Sequence, residues 1–237
     1  MNVAPKTRCL RLKLMKEKFS SKFVVFIILT LILVNIPIFG NYIKIINTVI
    51  HESGHALMAL FGGKVQHISL FLNTEGVTYT SHSGWFGGFL TGVSGYVFSS
   101  FFAFLAFWLI SRKKYKVFIV ILLVFISGNL IFWVRNFYGI FWLVSFGALF
   151  LLLLYKGSGA FVQYFLLFIA SVLMVESISS SYTIMLLSFI QPLAAGDATG
   201  LARATFFIPA QLWGIFFFCQ ALVFFLAGLK AGAYRVE

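Results

Sequence analysis

The chain has 237 residues, of which 61% are hydrophobic and 10% charged, with a net charge of +12 and a mean hydropathy of +0.99. So little polar surface excludes a soluble globular domain of this length. The cations sit in tails and short loops beside apolar runs, which is the pattern of membrane topology and not of a nucleic-acid-binding face, so no nucleic-acid partner is expected.

About 20 apolar residues span a bilayer, and several such runs predict an all-α, polytopic integral membrane protein with about 6–7 transmembrane helices. Residues 1–22 form a basic tail carrying Lys6, Arg8, Arg11, Lys13, Lys16, Lys18 and Lys22. The apolar run that follows is long and lacks a small-x-small cleavage site, so the tail reads as cytoplasmic and the first span as uncleaved. Residues 23–229 then form a single membrane-embedded domain, followed by a tail at 230–237. Span one is expected over 23–40 and span two over 43–61, where Gly62-Gly63 stops the helix. Residues 64–82 change texture: Lys64 to Leu72 alternates in part, Asn73-Thr74-Glu75-Gly76 is a turn signal, and Val77-Thr78-Tyr79-Thr80 is rich in β-formers. A short β-hairpin attached to the second span is predicted.

Span three, 86–110, opens with small residues from Gly87 to Ser100 that suit close helix packing. Spans four and five are expected over 117–134 and 137–154, separated by Arg135-Asn136. A sixth runs from about Ala160 to Ile190, and Pro192 breaks the chain after it. A last span covers 207–229. Both strong basic clusters, the tail and Arg112 to Lys116, belong inside by the positive-inside rule. Three intervening spans would put them on opposite sides, so either the hairpin alters the crossing count or one segment within 23–61 does not span. Cys9 and Cys219 are too differently placed to pair and form no C-x-x-C site.

The chemistry concentrates at His51-Glu52-Ser53-Gly54-His55, an H-E-x-x-H pattern inside span two. Histidines four apart lie on one helix face and can hold one metal ion, with Glu52 beside it as a base for a bound water. Two histidines and a carboxylate at membrane depth are costly and therefore functional by default. A catalytic zinc takes three protein ligands and keeps one open position, and the acids are few enough to search completely. Glu17 and Glu237 lie in tails, and Glu75 reads as a solvated turn residue. His67 and His82 read as polar hairpin surface, and Phe61 occupies the place a third helix histidine would take. That leaves Asp197, which otherwise reads as a helix N-cap, and Glu176, buried in a span and either neutral or paired with Arg135 or Arg203. Chemistry alone does not separate them as third ligand; one would bind metal while the other orients a histidine.

Val49 to Ala56, Gly62-Gly63-Lys64-Val65, Thr91-Gly92-Val93-Ser94-Gly95, and the block from Gly196-Asp197-Ala198 to Ile208-Pro209-Ala210-Gln211-Leu212-Trp213-Gly214 together resemble the site-2 protease family of intramembrane zinc metalloproteases. The likeness is to its small bacterial B-type subgroup without a PDZ domain. The resemblance implies Zn2+ held by His51 and His55, Glu52 as general base, a late acidic ligand, a transmembrane protein substrate, and a multi-pass protein of the bacterial cell membrane in contact with the lipid bilayer. The better known branch carries an Asn-Pro…Asp-Gly block, which this chain lacks; in the subgroup an acid also tends to occur where Glu176 stands. The implied reaction is intramembrane peptide hydrolysis, with the hairpin holding an unwound substrate strand by edge addition. Two alternatives are a non-enzymatic metal-binding membrane scaffold and a membrane zinc hydrolase of another class.

Overall fold

The computed structural model describes residues 21–231; the basic tail up to Ser20 and residues 232–237 lie outside it. The described chain begins with α1, Ser21–Leu33, and α2, Phe39–Ala59. A two-stranded antiparallel hairpin follows, β1 over Gly63–Leu70 and β2 over Gly76–His82. Then come α3, Trp85–Ser111, and α4, Tyr115–Gly128, which runs into a π-helical turn at Asn129–Trp133. The chain closes with α5, Phe137–Lys156; α6, Gly159–Ile190; the short α7, Gly196–Thr205; and α8, Ala210–Lys230. Among the described residues five segments are long and apolar enough to cross a membrane: α3, α4 with its π turn, α5, α6 and α8. The fold is thus an all-α polytopic bundle with one hairpin, as the hydropathy pattern predicts.

The expected first span needs correction. Over the described residues α1 has 13 residues, about 20 Å at 1.5 Å per residue, which is short of the ~30 Å hydrocarbon core. The chain breaks across residues 34–38, where Asn35 turns its side-chain Nδ2 back onto the Leu31 carbonyl at 2.7 Å and Ile38 adopts φ 65°. Pro37 has no N–H to continue a helix. Hydropathy is blind to this break because the residues around it are apolar.

Both halves of the broken segment advance along α6 in the same direction. Phe26 stacks on Tyr164 near the start of α6 at 6.0 Å, and Lys44 meets Glu176 halfway along it at 3.9 Å. α1 and α2 therefore make one traverse of the bundle between them. α3 then returns antiparallel to α2: Gly87 lies by the Gly62 carbonyl, and Gly95 by His51 and His55. The Arg112 to Lys116 turn thus ends up at the same end as the start of α1, where Phe23 packs edge-on against Phe107 at 5.6 Å. The conflict over the two basic clusters disappears, because the expected spans one and two traverse the bundle once.

The hairpin is pinned at the opposite end. Gly62, at φ 137°, turns the chain from α2 into β1 in a conformation only glycine adopts readily. The far edge of β1 is already occupied: the Arg135 N–H donates to the Ile68 carbonyl, and the Asn136 amide both accepts from the Leu70 N–H (3.1 Å) and donates to the Leu70 carbonyl (2.6 Å). Ile68 and Val134 form a parallel bridge there. The open edge is that of β2. Arg135 caps the π turn that leads here, donating to the carbonyls of Ile131 (3.0 Å), Phe132 (2.8 Å) and Val134 (2.8 Å). It does not pair with Glu176.

Candidate metal centre

α2 carries a polar stripe through an apolar bundle. Thr48, Glu52 and His55 fall at i, i+4 and i+7, with His51 between them, and this face turns toward β2, α3 and α7. Glu52 is 4% and His55 7% exposed. The two imidazoles sit edge to face with ring centres 4.7 Å apart and present Nε2 to Nε2 at 3.0 Å.

Asp197 completes the cluster from the other side of the cavity. Its Oδ2 lies 3.3 Å from His51 Nε2 and 3.2 Å from His55 Nε2. Asp197 stands in the first turn of α7 but makes no side-chain cap. Thr199 serves that turn, its Oγ1 accepting from the Ala195 N–H (2.8 Å) and donating to the Pro192 carbonyl (2.8 Å). The Asp197 carboxylate is left free to face the imidazoles. α7 is held in place by a small apolar cluster containing Ile184, Leu201, Trp213 and Phe217, and by Trp85 Nε1, which donates to the Ala204 carbonyl at 2.6 Å.

The three donors suit a metal ion. The edges of the triangle are 3.0, 3.2 and 3.3 Å, while a tetrahedral face with zinc–donor distances of 2.0–2.1 Å has edges of about 3.3 Å. His55 donates its Nδ1–H to the Thr91 carbonyl at 2.6 Å, which fixes the tautomer that leaves the Nε2 lone pair free. A Cβ at Gly95 would lie 2.5 Å from His55 Nε2 and 2.6 Å from His51 Nε2, so α3 approaches with bare backbone. His51, His55 and Asp197 are the one such group among the described residues.

Glu176 is not in this cluster. It lies on α6 with Oε1 3.9 Å from Lys44 Nζ, so the cation beside it is Lys44 and not the expected Arg135 or Arg203. His67 stacks on Tyr79 at 4.3 Å, and His82 Nε2 pairs with Thr80 Oγ1 at 3.0 Å. Glu75 lies at the cavity rim. Residues missed from the sequence include Thr78, whose Oγ1 donates to Glu52 Oε2 at 2.6 Å, and Tyr96, whose ring packs edge-on against His51 at 4.5 Å. Nothing local marks either one; each acquires its place only when the hairpin and α3 fold over α2. The cavity enclosing the cluster has a volume of about 810 Å³ and is bounded by α2, β2, α3, α6 and α7.

Compared with known families, residues 24–228 match the model described as Peptidase M50B-like. No curated protein matches the chain, and no solved structure does.

Proposed function

The chain belongs to the Peptidase M50B-like family, and from that premise we propose that it is an intramembrane zinc metalloprotease, with Zn2+ held by His51, His55 and Asp197 and with Glu52 as general base. The observation that carries this reading is the convergence of two imidazole nitrogens and one carboxylate oxygen on a single point beside a buried glutamate. When bound there, the ion would lower the pKa of a water and polarise the scissile carbonyl.

The chain's own residues do the rest. Glu52 takes a proton from the attacking water as the C–O bond forms, and hands it to the leaving amine as the C–N bond breaks. Thr78 holds Oε2 of that carboxylate, which leaves Oε1 for the proton. Thr91 keeps the His55 ring in one tautomer, and Tyr96 buttresses His51. A transmembrane substrate must unwind to expose its carbonyls, and β2 is an open strand edge on the cavity wall suited to receive an extended segment. Of the hairpin's two outer edges β2 is the one that suits this docking, since that of β1 is already covered. Glu176 takes a structural role opposite Lys44.

Metal stoichiometry on purified wild type, His51→Ala, Asp197→Asn and Glu176→Gln tests the assignment. One zinc per chain is expected in wild type and Glu176→Gln, with loss in the other two. Loss in Glu176→Gln with retention in Asp197→Asn would overturn the ligand set.

A further inference from the structure

The charges of the folded chain are sorted by end. Lys22, the four cations of the Arg112 to Lys116 turn, Lys156 and Lys230 all sit where helices meet at one end of the bundle. No acidic residue stands at that end among the described residues: Glu52, Glu75, Glu176 and Asp197 are all at mid-bundle or beyond it. The opposite end holds Lys64, Arg135 and Arg203, and Arg135 is engaged on backbone carbonyls. Lys44 lies inside, against Glu176. Cations beside membrane spans are retained on the cytoplasmic side and attracted to its anionic headgroups. A field of seven against three, with one of the three committed, sets one orientation.

The metal cluster is not midway between these ends. Gly95 marks its level on α3, because a Cβ placed there would run into both imidazoles. Ten residues of α3 separate Gly95 from Trp85, and sixteen separate it from Ser111. At 1.5 Å per residue the cluster is about 15 Å from the hairpin end and about 24 Å from the basic end along the helix. The hairpin, the loop before α7 and the cavity wall formed by β2 all belong to the nearer end.

We propose that the basic end rests on the anionic headgroups of the cytoplasmic leaflet, and that the His51–His55–Asp197 cavity opens toward the extracytoplasmic half of the bilayer. Where the peptidase reading holds, the segments it reaches are those in the outer half of a spanning substrate. The orientation itself does not depend on that reading.

Site-directed labelling tests it without any activity. In a Cys9→Ser, Cys219→Ser background, single cysteines are introduced as Asn73→Cys at the exposed hairpin turn, Leu193→Cys in the exposed loop before α7, and Lys114→Cys in the basic turn. Spheroplasts of a bacterial expression host are treated with a membrane-impermeant maleimide before and after permeabilisation. Asn73→Cys and Leu193→Cys are expected to label in intact spheroplasts, with Lys114→Cys labelling at least ten-fold less until permeabilised. Labelling of Lys114→Cys in intact spheroplasts, alone or together with the other two, overturns the proposal. Zinc content measured on the same variants separates a wrong orientation from a wrong metal site.

Discussion

Glu52 has one carboxylate oxygen committed and one free, and this division suits a group that must both take and return a proton. Its Oε2 accepts from Thr78 at 2.6 Å, and the residue is 4% exposed. Glu52→Gln keeps the shape and the Thr78 contact but cannot carry the proton. Turnover is expected to fall by about 10²–10⁴ with zinc content unchanged, measured on any substrate the wild type cleaves; undiminished turnover would favour a scaffold. Thr78→Val removes only the orienting hydroxyl. A hydrogen bond to a charged group contributes about 1.5–3 kcal/mol, so kcat is expected to drop about ten-fold or more, with KM and metal content little changed. That His51, Glu52 and His55 lie together on one turn of α2 was legible in the sequence, because H-E-x-x-H places them by helical period alone. Thr78 was not, since its role depends on where β2 lands.

At the level of elements, the crossing of α2 and α3 decides whether the site can exist. Built Cβ atoms show how tight it is: at Gly54 one would lie 2.8 Å from Phe98 Cβ, and at Gly95 within 2.6 Å of both imidazoles. Gly95→Ala is expected to cost the site its metal, because the methyl group displaces ring nitrogens that cannot retreat through their own helix. Zinc content should fall several-fold while the far-ultraviolet circular dichroism stays helical; full zinc occupancy would show that α3 has room to move. The small residues of α3 were readable as a packing surface, and the hairpin as a change of texture after Gly62-Gly63. The π turn and its Arg135 cap were not, since Asn129–Trp133 is as apolar as any helix and the cap is made with backbone carbonyls.

For the whole molecule, the Lys44–Glu176 pair fastens the broken α1–α2 traverse to α6, with side chains 23% and 13% exposed. Lys44→Met alone leaves a carboxylate without its partner and is expected to destabilise the protein in detergent by up to about 3 kcal/mol, read from the unfolding midpoint. Lys44→Met with Glu176→Gln is expected to recover most of that loss, because removing both members of such a pair costs far less than removing one. Equal losses in single and double variants would mean the pair contributes nothing. The long apolar runs made five of the traverses legible to within a few residues. The α1 break, and that Asp197 rather than Glu176 faces the imidazoles, were not legible, because both depend on which distant residues the bundle brings opposite α2.

That dependence has a consequence in time. α2 is the most polar of the long helices outside α7, and its partners are late arrivals: Glu176 is made about 130 residues after Lys44, and Asp197 later still. At 5–20 residues per second, α2 waits about 7–30 seconds between synthesis and neutralisation. Unpaired charge and imidazole are costly in hydrocarbon, so the motif helix settles into the bilayer only when α6 and α7 emerge. The segment that carries the H-E-x-x-H motif is among the first to be made and the last to be at home.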